Sequence, residues 1–119
     1  MAQKKQPFDH VLSAKAVAGS NDVEMDPVES GCLVCVQHLG VENKTTDFTS
    51  FRVMKAGVGG EFPLEEQLDP EGGELYWMND NIYFTEGQYP LVRFVGCTAN
   101  DVLKVYITGW KKEGVELNG

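Results

Sequence analysis

The run Cys32-Leu33-Val34-Cys35-Val36-Gln37-His38-Leu39-Gly40-Val41 constrains the fold more than any other part of the chain. It is rich in β-branched residues, and with Gly31 and Gly40 so close it does not favour a helix, so it predicts a buried strand. No stretch of the sequence carries a convincing amphipathic helical period, and short apolar runs recur between turn residues.

Those runs predict strands over Phe8–Val17, Phe48–Ala56, Leu91–Val95 and Val102–Trp110. In the second of them Phe51, Val53 and Lys55 fall on one face, with Arg52 and Met54 on the other. Leu75–Met78 and Asn81–Phe84 flank Asn79-Asp80, which reads as a hairpin turn. Ala18–Asp22, Asn43–Thr46, Gly57–Gly60, Thr85–Gly87 and Cys97–Asp101 read as turns. Residues 61–74, with Pro63, Pro70, Gly72, Gly73 and many acids, read as a long exposed connection with one short helical turn around Leu64–Leu68. The sum is seven to eight short strands with turn chemistry between them, hence an all-β fold: an antiparallel β-sandwich or barrel.

A chain of 119 residues with 42% hydrophobic content builds one core, so 8–119 reads as a single domain. Residues 1–7 are polar, end in Pro7 and read as a flexible arm. The net charge of −8 argues against nucleic-acid binding and against anionic membranes, since both need Lys and Arg. The charge is also uneven. Lys4, Lys5 and Lys15 make the first fifteen residues basic, whereas residues 16–91 carry fourteen of the eighteen acids. A basic arm on an acidic body suits docking on an acidic neighbour, including another copy of the chain. No run approaches the roughly 18 apolar residues of a membrane span, no secretory h-region follows the basic start, and three cysteines make no disulfide framework. Synthesis in a reducing compartment is the expectation.

The motifs that invite a catalytic or metal reading fail on geometry. Cys32 and Cys35 form a C-x-x-C inside a strand, where positions i and i+3 point to opposite faces and cannot share a metal. Buried thiols serving as small core residues are expected instead. His10, His38 and Cys97 carry no local catalytic signature. Asp22, Glu24 and Asp26 alternate like the start of a calcium loop, but Pro27 and Leu33 stand where it needs Gly and Glu. No cofactor is expected and no enzyme activity is read. The aromatics Tyr76, Trp77, Tyr83 and Trp110 are either core or an exposed platform, with Trp77 and Trp110 the ones to locate.

In the C-terminal half the pattern G-x-T-A-x-D (Gly96, Thr98, Ala99, Asp101) lies between Leu91-Val92-Arg93-Phe94 and Val102–Trp110, with a closing Gly109. Over about residues 75–110 the chain resembles small jelly-roll virion proteins of tailed bacteriophages, departing at Gln88, where those have Asp. The resemblance implies a jelly-roll-like sandwich and a capsid decoration, or cement, protein that binds across capsid subunits and stabilises the head. Its partners would be the major capsid protein or other virion subunits, and it would be a dimer or trimer on the capsid surface, made in the host cytoplasm. The partner-binding candidates are Lys4, Lys5 and Phe8 at the arm, Glu65 and Glu66 in the acidic segment, and Trp77 and Trp110. The alternative is a carbohydrate- or receptor-binding β-sandwich module, for example on a phage tail.

Overall fold

The computed structural model describes residues 5–114. It contains eight strands: β1 (Gln6–Lys15), β2 (Gly19–Glu24), β3 (Cys32–Asn43), β4 (Ser50–Gly57), β5 (Gly60–Leu68), β6 (Leu75–Phe84), β7 (Tyr89–Cys97) and β8 (Val102–Glu113). They form two four-stranded antiparallel sheets, in the orders β1-β8-β3-β6 and β2-β7-β4-β5. The pairs β1:β8, β2:β7, β3:β6 and β4:β5 are nested, each enclosing the next along the chain. This is the wrapped ribbon of a jelly roll, the sandwich that the resemblance implies.

Alternation places the core. Val34, Val36, Leu39 and Val41 of β3 face Phe51 and Val53 of β4, Val92 and Phe94 of β7, and Leu103, Val105 and Ile107 of β8. Phe94 and Leu103 are fully enclosed. The expected faces of β4 hold: Phe51 and Val53 enter the core and Lys55 reaches over the Phe84 ring, while Arg52 points out to Glu66. Met54 joins Ala56, Leu91 and Tyr89 in a small separate cluster.

Four expectations are corrected. Residues 60–68 are a strand, not a loop or a helical turn; β5 is an edge strand paired only with β4, and the unpaired side of an edge accepts acids and proline. Pro63 sits at the bulge there, where Val53 pairs with Glu65 and Met54 with Pro63, leaving Leu64 as the extra residue. Asn79-Asp80 is not a hairpin. Both flanking runs pair with β3, and the dipeptide falls at an irregularity between the Val36–Ile82 and His38–Asn79 pairs. Part of the turn expected over Ala18–Asp22 is β2, with the bend held by Asn21, whose side chain bonds the backbone N–H and C=O of Val17. Gln6 and Pro7, expected in the arm, already pair with Lys111 and Trp110 of β8.

The G-x-T-A-x-D turn has a physical reading at each marked position. Gly96 has φ of 78°, and a Cβ there would stand 2.0 Å from Thr49 Oγ1. Asp101 is buried and accepts hydrogen bonds from Asn43 Nδ2, Thr46 Oγ1 and the backbone N–H of Thr98 at 2.9, 2.7 and 2.8 Å. Burial alone would raise its pKa, but the three donors together hold it below the usual carboxylate value. At Gly109 a Cβ would lie 1.9 Å from the Cys35 carbonyl oxygen.

Candidate functional site

Because side chains alternate, the pairing register fixes what the β1-β8-β3-β6 sheet shows on its outer face. One row across the four strands is Val11, Tyr106, Gly40 and Trp77; the next is Asp9, Thr108, His38 and Asn79. Beyond the β3 irregularity come Pro7, Trp110, Cys35 and Tyr83. Trp77 is 51% exposed, Tyr83 48% and Val11 61%, whereas Trp110 is half-buried. The face is an aromatic strip broken by one polar row.

Within the strip the rings pair at angles. Trp77 and Tyr106 have centroids 6.4 Å apart at 38°, and Tyr83 meets Trp110 edge-on at 6.2 Å and 68°. Lys5 stands 4.5 Å over the Trp110 ring and Lys112 stands 5.5 Å from it, so two cations partly cover that indole. Cys35 lies beneath this corner, in reach of the Tyr83 hydroxyl. Burial pushes its thiol pKa up, only partly offset by Lys5 and Tyr83. In the polar row Thr108 Oγ1 donates to Asp9 Oδ1, and His38 Nδ1 bonds Asn79 Oδ1. The Tyr106 hydroxyl donates to Glu42 Oε1 at 2.9 Å, and burial followed by that carboxylate raises its pKa.

The other candidates are divided between two opposite edges. Phe8, on β1, packs against the core and meets the His10 ring at 4.5 Å, tilted by 53°. Glu65 and Glu66 lie on β5, at the far edge of the other sheet, where Glu66 is tied to Arg52 Nε at 2.8 Å. The seam between β5 and β6 is open, with a cleft of about 480 Å³ lined by Lys55, Leu64, Glu65, Trp77 and Ile82 among others. Phe62 on β5 is 59% exposed. The basic and acidic candidates are therefore not brought together within one molecule. Lys4 lies outside the described residues.

Cys32, Cys35 and Cys97 are free and buried, as expected of core thiols. Among the described residues no group of three or more His, Cys, Asp or Glu is placed to hold a metal ion. His10, His38 and Cys97 sit on β1, β3 and β7, and each has its own neighbour: Phe8, Asn79 and Asn21. The features missed in the sequence are Gly40, Tyr106 and the polar row. A signal for Tyr106 and Thr108 was present, since Lys104, Tyr106, Thr108 and Trp110 alternate with Leu103, Val105 and Ile107.

No protein-family model matches the chain, and no curated protein matches it. Among solved structures it is similar to PirA, at 13% identity and a TM-score of 0.51 over 84% of this chain and 93% of that one. A family 29 carbohydrate-binding module is 8% identical, with a TM-score of 0.45 over 95% and 82% of the two chains. A chain of infectious bursal disease virus is 10% identical, with a TM-score of 0.36 over 92% of this chain and 32% of that one. At 13% identity the likeness to PirA is one of fold alone, and the two four-stranded sheets make that fold a β-sandwich.

Proposed function

We propose that this protein is a non-enzymatic virion subunit, a capsid decoration protein that grips neighbouring subunits by its two opposite edges. The observation that carries this reading is the β5 edge: nine residues long, almost wholly exposed, unpaired on its outer side, with Phe62 bare beside Glu61, Glu65 and Glu66. Pro63, the bulge and the acids block continuous strand addition, so it is the bare Phe62 and Leu68 among those acids that offer a side-chain contact surface to another chain. The opposite edge, β1 with Lys5, differs in charge, which suits an arrangement in which one copy's β1 edge faces an acidic neighbour. The resemblance of residues 75–110 to small jelly-roll virion proteins supplies the setting, and it agrees with the wrapped-ribbon strand order.

The test is co-sedimentation with tailed-phage capsids assembled from their major capsid protein. Stoichiometric binding, weakened by Glu65→Lys or Phe62→Lys with thermal stability unchanged, is expected. Capsids that sediment without it, or that bind both variants as well as the unaltered protein, would exclude the role.

A second reading, carbohydrate binding, is favoured by a different observation, the half-exposed Trp77 lying on the outer sheet face. The two readings use different surfaces and are compatible, with the edges for subunits and the face for a sugar.

A further inference from the structure

We infer that Trp77 is the stacking floor for a single neutral pyranose ring, with the polar row beside it supplying the hydroxyl contacts. This rests on the carbohydrate-binding reading and deepens it, by naming the ring, its partners and the size of the ligand. The first support is how the indole lies. A Cβ built on Gly40 would stand 3.0, 3.1 and 3.1 Å from Cζ3, Cε3 and Cη2, three consecutive atoms of the six-membered ring. A point in the ring plane beyond its edge would be clearly nearer one of those atoms than the others. Near-equality means that the face of the indole covers Gly40. One face is thus pressed on the sheet, and the other is turned to solvent in a residue that stays 51% exposed. A flat, supported aromatic face is what the C–H side of a pyranose packs against.

The second support is the chemistry alongside. Asn79, His38, Thr108 and Asp9 each stand two residues along their strand from Trp77, Gly40, Tyr106 and Val11, on the same face and in one register row. The bond between His38 Nδ1–H and Asn79 Oδ1 leaves His38 Nε2 as an acceptor and Asn79 Nδ2 as a donor. Thr108 occupies Asp9 Oδ1, leaving Oδ2 to accept. None of these three groups has another partner among the described residues. Donors and acceptors alternating beside an apolar floor match the alternation of hydroxyl and C–H on a sugar ring better than a purely apolar or a charged ligand.

The third support sets the size and charge of the ligand. Tyr106 is tilted by 38° from Trp77, so the flat surface ends after one ring. The cleft running from Trp77 to Asp9 and Val11 over Tyr106 and Thr108 is about 310 Å³. That suits one sugar residue at the end of a glycan, not a run of residues along a polysaccharide. The Asp9 carboxylate in the site and the net charge of −8 select against uronic and sialic acids.

The experiment is a titration of the isotope-labelled full chain, followed by amide and indole NMR shifts. The probes are the methyl α-pyranosides of glucose, galactose, mannose and N-acetylglucosamine. Saturable binding to at least one is expected in the millimolar range, with shifts centred on the Trp77 indole, His38 and Asn79. Trp77→Ala should weaken it by about tenfold or more. Gly40→Ala, which lifts the ring, and Asn79→Ala, which removes the donor, should also weaken it, and neither depends on the folding of the tryptophan variant. Saturable binding that survives Trp77→Ala, or shifts centred on Tyr83 and Trp110, would overturn this site and leave the carbohydrate reading standing. The absence of a saturable shift with all four probes would overturn both.

Discussion

Asn43 at the end of β3 donates its side-chain N–H to Asp101 Oδ2 across 2.9 Å, inside the protein and 58 residues away in sequence. The same carboxylate oxygen takes the Thr46 hydroxyl and the Thr98 N–H, so it joins the loop after β3 to the turn before β8. Neither residue retains contact with water to speak of, and no buried side-chain polar atom is left without a partner among the described residues. Removing the carboxylate strands three donors at once.

Asp101→Ala should therefore destabilise the fold by about 3 kcal/mol, the usual scale for losing buried hydrogen bonds to a charged group. Chemical denaturation checks this. The native pKa of Asp101 is lowered, so its stabilisation is present above the unfolded value of about 4 and is lost as pH falls through the lower native value. The melting temperature of the unaltered protein should fall with acid below about pH 4, and that portion of the fall should be missing in Asp101→Asn.

Gly109 and Gly59 make a contrasting pair. A Cβ at Gly109 meets the Cys35 carbonyl at 1.9 Å, whereas one at Gly59 meets nothing within 4 Å. Gly109→Ala should cost about 3 kcal/mol or more, or abolish folding, because backbone must move in the middle of a sheet. Gly59→Ala should stay within about 0.5 kcal/mol. Soluble yield and thermal denaturation of the two variants separate them.

The three thiols should be inert in the native protein. All are buried, and burial raises the pKa of Cys35 and Cys97, which suppresses the reactive thiolate. An aromatic disulfide reagent at pH 8 should label none of them at a measurable rate until denaturant is added, and then all three. Fast labelling of one thiol without denaturant would show that its cover opens.

Arg93 bridges Asp22 and Glu61, with Nε–Oδ1 at 2.8 Å and Nη2–Oε2 at 3.2 Å, fastening both edge strands of its sheet to β7. The two carboxylates hold its pKa above the ordinary guanidinium value. The site is partly open to solvent, so Arg93→Ala should lower stability by only about 1 kcal/mol, and less in high salt. Denaturation at two ionic strengths measures both effects.

How much of this was legible depends on how many faces of a strand are buried. Cys32–Val41 and Val102–Trp110 were readable because central strands carry apolar residues that only burial explains. The β5 strand was not, since an edge strand buries little and its Glu61, Pro63, Glu65 and Glu66 look like a loop until β4 supplies a partner. The Asn79-Asp80 dipeptide misled because an irregularity inside one strand uses the same residues as a hairpin between two. For the site, Trp77 and Trp110 could be named, but which was bare depended on Lys5 and Lys112 arriving from other parts of the chain. That Gly40 lies beneath an indole from a strand more than thirty residues on is a matter of register, which no local pattern carries.

The nesting of strand pairs has a kinetic consequence. The β4:β5 hairpin closes a short loop, whereas β3:β6, β2:β7 and β1:β8 must each draw together ends separated by ever longer stretches of chain. The closure entropy rises at every step, so the ribbon should zip from the hairpin outward on the slow, millisecond-to-second scale of non-local β topologies. β8 is the strand that both β1 and β3 wait for. Until it has left the ribosome, β1 has no partner in its sheet, β3 is paired on one side only, and the core lacks Leu103, Val105 and Ile107, so the nascent chain presents uncovered apolar surface to whatever chaperone is nearest.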